Sequence, residues 1–249
     1  MNTKSAHWYD ALYRFKDYAK ESADIISLLK NEYPQATSVL DVACGTAEHD
    51  KYLASTYQVD GLDISEDFVH IASVKNPKGE YFCMDMTDFR LERSYDIILC
   101  LFSSIGYAKT IDRVTQALRS FEKHLNTDGI IVVEPWFTPD TWTPDGQVYL
   151  LTGETSESKI CRMNTTGKEG SLSILEFHYL VGTVSGVEHF TERNELGLFS
   201  VDDMKQAFAA ANLIVKYDES GLTGKGLYIA RKKESEPGHA VERQKQGAH

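Results

Sequence analysis

Apolar positions in the first 135 residues alternate between two rhythms. Ile25, Ile26, Leu28 and Leu29 recur at helical spacing within residues 22–32, and Pro34 closes that stretch. An apolar run over 38–43 predicts a buried strand, 48–55 a helix, and 58–62 a second strand. Ser65-Glu66-Asp67 opens another helix, with its acids in the first turn where the helix dipole favours them. Tyr81-Phe82-Cys83 reads as a short strand, and the continuous apolar run 95–101 as a strand buried on both faces. Val114, Leu118, Phe121 and Leu125 share one face of a helix over 111–125; the turn Thr127-Asp128-Gly129 leads into Ile130-Ile131-Val132-Val133-Glu134. Five strands separated by helices predict a doubly wound parallel sheet with right-handed crossovers.

The rhythm changes after Pro135. Residues 138–146 are broken by proline, aspartate and glycine, and alternating runs with turn signals replace helices. Residues 164–170 look like a hairpin tip. Leu172, Ile174, Glu176, His178 and Leu180 fall on one strand face, Leu175, Phe177 and Tyr179 on the other, and 187–199 reads as a third antiparallel strand. Ser200-Val201-Asp202-Asp203 caps a helix ending near Asn212, and 213–217 and 226–231 supply two last strands. The expected fold is thus α/β, a Rossmann-like doubly wound seven-stranded sheet with an inserted antiparallel β platform. Residues 1–136 and 200–232 form the sheet domain, 137–199 the platform covering its open end, and 233–249 a disordered tail with almost no apolar residues.

Composition narrows the function. A chain of 249 residues, 42% hydrophobic, can bury a sizeable core. The net charge of −11, from 26 basic and 37 acidic residues, comes with no dense basic face, which weighs against a nucleic-acid substrate. A small molecule is the expected partner, with the platform a candidate homodimer surface. Cys44, Cys83, Cys100 and Cys161 show no C-x-x-C pairing and suit reduced thiols of a cytoplasmic protein. No apolar run approaches the ~20 residues that span a bilayer, and the acids and histidines lack metal-ligand spacing such as H-x-x-x-H.

The candidate chemistry centres on Val39-Leu40-Asp41-Val42-Ala43-Cys44-Gly45-Thr46-Ala47-Glu48-His49, answered by Asp63 after the second strand. A strand, a tight small-residue turn, and an acid about twenty residues on are how a doubly wound domain holds an adenosyl cofactor. A dinucleotide calls for three glycines in the turn; this loop has only Gly45, flanked by Ala43 and Ala47, and suits S-adenosyl-L-methionine, which carries no phosphate. Asp63 would accept from the ribose hydroxyls, Asp85 from the adenine amino group, and the Met86 amide would meet a ring nitrogen. Ala43, Gly45, Thr46, Ile64, Leu101, Phe102 and Ser103 complete the cofactor candidates. Asp41 either organises the loop or touches the cofactor. Trp8, Tyr9, Asp10, Tyr13 and Tyr18 form an aromatic cluster that either packs on the domain or turns its hydroxyls toward ligands. His124 lies at the border of an apolar helix face, where a histidine either complements the helix end or serves the chemistry.

Taken together, the 40–46 loop, Asp63, Cys83-Met84-Asp85-Met86 and Leu101-Phe102-Ser103-Ser104-Ile105-Gly106-Tyr107 resemble a class I S-adenosylmethionine-dependent methyltransferase. More narrowly, with Val133-Glu134-Pro135-Trp136, Val187-Glu188-His189-Phe190 and Gly224-Lys225-Gly226-Leu227, residues 7–232 are similar to the bacterial N,N-dimethyltransferases of nucleotide-linked 3-amino-deoxysugars in the desosamine and mycaminose pathways. The resemblance implies antibiotic-pathway methylation of a sugar amine, with an indole or another small-molecule amine as the alternative acceptor. It places Tyr13 and His124 beside the acceptor amine, Tyr9 and Tyr18 against the cofactor or a lid, and Trp136, His178 and Lys225 against the substrate; His178 and His189 are alternatives to His124 as the proton carrier, although with Trp136 they better suit the lining of the acceptor pocket or the core. Two departures stand out. Ala47 replaces a frequent glycine, so the turn either avoids positive φ there or tolerates a methyl group. Lys225 replaces an arginine, keeping the charge but losing the bidentate fork.

Overall fold

The structure is a computed structural model and describes residues 4–144 and 146–233; from residue 234 the expected tail lies outside them. A 3-10 turn, Lys4–Trp8, runs into a one-turn helix α1 (Tyr9–Leu12) and then α2 (Tyr18–Glu32), whose Asp17 side chain accepts from the Lys20 amide at 2.9 Å. The chain continues through β1 (Ser38–Val42), a single-turn α3 (Asp50–Leu53), β2 (Gln58–Asp63), α4 (Glu66–Lys75), β3 (Tyr81–Cys83), β4 (Tyr95–Cys100), a 3-10 turn Ser104–Ala108, α5 (Ile111–His124) and β5 (Leu125–Val133). Four long strands follow: β6 (Tyr149–Glu154), β7 (Ser158–Glu169), β8 (Leu172–Thr183) and β9 (Gly186–Gly197). Then α6 (Val201–Ala210), β10 (Leu213–Asp218) and β11 (Leu227–Lys232) close the fold.

Seven strands form one sheet in the order β10-β11-β5-β4-β1-β2-β3, in which β11 alone runs against its neighbours. The strand order reverses between β1 and β4, so their C-terminal ends open a crevice where ligands of doubly wound sheets bind. Alternate residues serve opposite faces. Ile98 and Leu40 pack against Phe121 of α5 and Phe208 of α6, while Ile97, Leu99 and Val39 pack against Ile25 and Leu29 of α2. Each fully buried aliphatic side chain contributes about 1.5–3 kcal/mol.

The second sheet, β6-β7-β8-β9, is wholly antiparallel. It has one strand more than the pattern predicts, because the chain already reverses at residues 155–157, between β6 and β7, and residues 164–169 are not a tip. They continue β7, with Thr165 opposite Glu176 and Thr166 opposite Leu175. Their β-branched threonines suit a strand, and the reversal falls at Gly170, which takes φ +60°. The inner face of this sheet carries Ile160, Tyr179 and Val181, packed on Leu12 of α1. Its last strand leans on the 3-10 turn after β4, where Leu196 meets Gly106.

Candidate active site

The turn after β1 is built on backbone that side chains rarely adopt. Ala43, Gly45 and Ala47 all have positive φ, at 61°, 56° and 55°. Ala47 therefore takes the left-handed conformation despite its methyl group, at a cost of about 1–2 kcal/mol. The turn is held from below and above. Asp63, at the end of β2, accepts from the Gly45 amide at 3.0 Å and from the Ser65 amide at 2.9 Å. Burial pushes its carboxyl up and those amides pull it back. Asp41 and Asp50 lie beneath the turn, both buried. Burial raises Asp50 to about 6 and raises Asp41 well above its ordinary range, with the neighbouring carboxyl adding to the rise. The Tyr81 hydroxyl donates to Asp50 at 3.0 Å.

From above comes the N-terminal segment. Asp10 accepts from the Thr46 hydroxyl at 2.6 Å and from Lys75 at 2.8 Å, and Lys75 also pairs with Glu48 at 2.7 Å. Tyr9 packs at a tilt against Tyr13, ring centroids 4.5 Å apart, and meets Phe68 of α4 edge-on at 5.4 Å. Tyr18 packs edge-on against His49, and His49 stacks on Phe102 at 4.2 Å while bonding Glu21 at 2.9 Å. Burial lowers His49 to about 4, against the pull of Glu21, so the ring is neutral at ordinary pH. The Lys16 ammonium sits 4.1 Å over the Phe102 ring.

After β4, Phe102 and Ser103 are both left-handed, at φ 51° and 67°. Glu134, fully buried at the end of β5, holds this strained corner by accepting from the Phe102 amide at 2.7 Å, and its other oxygen takes the Thr223 hydroxyl. Ser103 donates to the Pro135 carbonyl at 2.8 Å and lies 3.5 Å from the Lys225 ammonium. Lys225 rests over Trp136 and Phe137, at 5.0 and 5.5 Å; burial and then Lys16 lower its pKa, while Glu134 opposes them. Trp136 itself donates to Ser173 at 2.7 Å.

On the platform side, Arg162 points inward from β7 and donates to the Tyr13 hydroxyl at 2.9 Å. Tyr107, in the 3-10 turn after β4, lies 3.3 Å from Asn194, and burial raises its hydroxyl to about 12. Sequence pattern did not single out Arg162, Tyr107, Glu134 or His49. Arg162 had one available signal, a charged residue at the same parity as the inward Ile160.

Other expected residues fall in different places. Asp85 is pinned by Thr87, whose amide and hydroxyl are each at 2.8 Å, and by Arg113 at 3.0 Å; burial works against these bonds, which hold its carboxyl below the ordinary range. Met86 is half-buried against the core under it, Leu101 faces the α2 side, and Ile64 is exposed beside Asp63. His124 requires correction. It ends α5 just before Leu125, which pairs with Tyr95 at the start of β4. It therefore lies at the opposite end of the strands from Gly45 and Asp63, about 20 Å away along six residues of strand. It is only 6% exposed; Nδ1 donates to the Ser120 carbonyl at 2.7 Å, Nε2 accepts from the Leu91 amide at 2.9 Å, and the ring stacks on Phe89. A histidine with both nitrogens engaged by backbone in a core is structural. His178 and His189 are corrected too. They stack on one another at 5.6 Å on the exposed outer face of the platform, away from Tyr179 and Arg162.

The matches to known proteins follow this division of the molecule. The family model described as a methyltransferase domain matches residues 39–129, within the seven-stranded sheet. The dTDP-3-amino-3,6-dideoxy-alpha-D-glucopyranose N,N-dimethyltransferase of Streptomyces fradiae is 38% identical over 227 residues, 90% of this chain and 89% of that protein. The chain belongs to the nucleotide-sugar N,N-dimethyltransferase family. Its fold agrees with that of Streptomyces venezuelae DesVI, with a TM-score of 0.84 and 36% identity over 93% of this chain and 100% of that one. CalS10, an amino pentose methyltransferase of Micromonospora echinaspora solved with S-adenosylmethionine bound, superposes with a TM-score of 0.79 at 29% identity, covering 90% and 96%. This family member joins a methyltransferase half to a second antiparallel sheet. Among its described residues no helix is long and apolar enough to cross a membrane.

Proposed function

We propose that this chain methylates, twice in succession, the amino group of a nucleotide-linked amino-deoxysugar, with S-adenosyl-L-methionine as donor. The likeness to the Streptomyces fradiae enzyme carries this reading, because it extends over 90% of the chain and so takes in the platform as well as the cofactor half.

The crevice suits the cofactor. A Cβ built on Gly45 would meet nothing within 4 Å, so the turn faces open space, and the Asp63 oxygens keep lone pairs for ribose hydroxyls beyond the two amides they accept. Ala43, Gly45 and Thr46 would lie along the sugar and methionine, Asp85 and Met86 at the adenine, and Tyr9, Tyr18, Ile64, Leu101, Phe102 and Ser103 around the remainder. Bound there, the cofactor supplies a methyl group on a sulfonium, whose carbon–sulfur bond breaks toward sulfur as a nitrogen lone pair takes the carbon. The chain must then align a free amine. Orientation can supply about 7–11 kcal/mol, more than the roughly 3–5 kcal/mol from a general base worth 10²–10⁴-fold. Tyr13 would accept an N–H of the acceptor, and Lys225, half-buried beside Trp136, would meet the diphosphate as a point charge.

The same reading places the enzyme in the cytoplasm, supported by four free cysteines. Pairing with a second copy is supported by Leu150, Met163, Leu180 and Val187, exposed on the outer face of the platform; sedimentation reads it. To test the activity, the chain is incubated with S-adenosylmethionine and a thymidine-diphosphate 3-amino-deoxysugar, with indole alongside. The expected result is successive gains of one and two methyl masses on the sugar. Methylated indole and unchanged sugar would overturn the acceptor.

A further inference from the structure

Arg162 is a buried cation without a counter-ion. It is 7% exposed, and among the described residues no carboxylate lies within ion-pair distance of it. Its Nε has no hydrogen-bond partner, although Nη1 donates to the Tyr13 hydroxyl at 2.9 Å. The guanidinium lies 4.3 Å over Phe177 and 5.4 Å from the Tyr13 ring centroid. Uncompensated buried charge is costly, and a buried arginine held by phenols and rings points to a role for the charge itself.

The groups facing it come from every neighbouring element. The N-terminal segment contributes Tyr9 and Tyr13, the 3-10 turn after β4 contributes Tyr107, and β8 contributes Tyr179. From β6 the residue opposite is apolar Leu151. The acid on β9, Glu192, is engaged by the Ser5 amide at 3.0 Å and the Ser5 hydroxyl at 2.8 Å. The tyrosines Tyr9, Tyr107 and Tyr179 are all raised, burial first, so none of them is an anion at ordinary pH. His124 lies at the other end of the strands, His178 and His189 lie outside, and His49 is bound to Glu21 on the cofactor side. Nothing beside Tyr13 would take a proton from an ammonium, yet an ammonium has no lone pair with which to attack.

We propose that Arg162 is a positioning residue that keeps the acceptor amine unprotonated, setting a fixed positive charge behind the Tyr13 hydroxyl that receives the amine's N–H. This rests on the amine-acceptor reading above. A like charge nearby disfavours the ammonium form, so the free base is selected from solution, and the proton of the product ammonium leaves to water before a second round.

The pH dependence of kcat reports the bound amine, and it is compared for the wild type, Arg162→Met and Arg162→Lys. In Arg162→Met the acid limb moves up by about one pH unit, with a rate about tenfold lower below the limb and an alkaline plateau within about threefold; Arg162→Lys keeps the wild-type limb. An unmoved limb under a lowered plateau overturns the proposal and leaves Arg162 a packing residue. A second measurement needs no variant: calorimetric affinity of the wild-type chain for the amino sugar and for its hydroxyl analogue across pH. The amino sugar gains up to tenfold per pH unit until its amine is free, while the hydroxyl analogue stays level. Level binding of both overturns this inference alone, whereas binding of neither, with no methyl transfer, overturns the sugar-acceptor reading beneath it.

Discussion

Replacing His124 by alanine removes the acceptor of the Leu91 amide and leaves a gap beside Phe89. A buried donor left unpaired costs about 1–3 kcal/mol, and with the lost packing the total is about 2–4 kcal/mol. The expected result is a lower urea midpoint with a methyl-transfer rate per folded molecule within about twofold. A thousandfold loss of rate would return His124 to the chemistry. Asp63→Ala should act on both counts. It strands the amides of Gly45 and Ser65, for about 2–4 kcal/mol, and weakens cofactor binding at least tenfold by calorimetry; unchanged affinity would confine the carboxylate to loop architecture. The contrast between these residues shows what was legible. Asp63 follows a strand at fixed spacing from a turn, and spacing along the chain determines the edge on which it emerges. Helical periodicity put His124 on an apolar border but carried no information about which end of the sheet that border reached.

At the scale of elements, the N-terminal segment ties the two halves together. Asp10 holds Thr46 of the cofactor turn, Trp8 donates to Ser158 at 2.9 Å, and Arg14 donates to the Glu154 carbonyl at 3.0 Å on the platform. The part-buried bond to the Asp10 carboxylate, being to a charged group, contributes about 1.5–3 kcal/mol. Asp10→Ala should therefore speed hydrogen exchange over residues 4–17 and weaken cofactor binding by about tenfold or more; unchanged exchange would mean the platform contacts alone hold the segment. The sheet strands and the capped α6 were readable from apolar runs and from Ser200 with Asp203. The platform was readable as a class but not in its strand count or bounds: the β6–β7 reversal at Thr155-Ser156-Glu157 carries no glycine or proline, and a threonine-rich polar stretch looks like a tip until its partner strand is known. Arg162 was hidden for the same reason: on an alternating strand, which parity faces inward is decided by what packs on it.

Across the whole molecule, two buried titrations oppose each other. Asp50 is raised to about 6 from an unfolded value of about 3.9. Its contribution is present below about 3.9 and is lost as pH rises through 6, with Asp41 acting in the same direction. His49 is lowered to about 4 from about 6.5. Its contribution is present above 6.5 and is lost as pH falls through 4. Each spans about two pH units, or about 3 kcal/mol, so with Asp41 added to Asp50 the wild-type stability should fall between pH 4 and 6. Asp50→Asn should make that fall shallower by about 2–3 kcal/mol, and His49→Phe should make it steeper by a comparable amount, both read by urea unfolding at fixed pH. Parallel slopes in all three proteins would refute these opposing contributions.

The position of the second sheet also bears on how the chain assembles. Pairing of Tyr228 with Val133 closes the main sheet, and all of β6–β9 lies between them in sequence. Those four strands pair only with sequential neighbours and can zip by local hairpins. Once formed, they bring Tyr149 and Gly197 to opposite edges of one narrow ribbon and remove roughly half of the intervening chain from the closure. Halving a loop lowers its entropic cost by about 0.6 kcal/mol, close to a threefold gain in the closing equilibrium. The ribbon that packs on α1 and on the turn after β4 in the finished protein thus also serves as a splint during folding, shortening the search by which β11 finds β5.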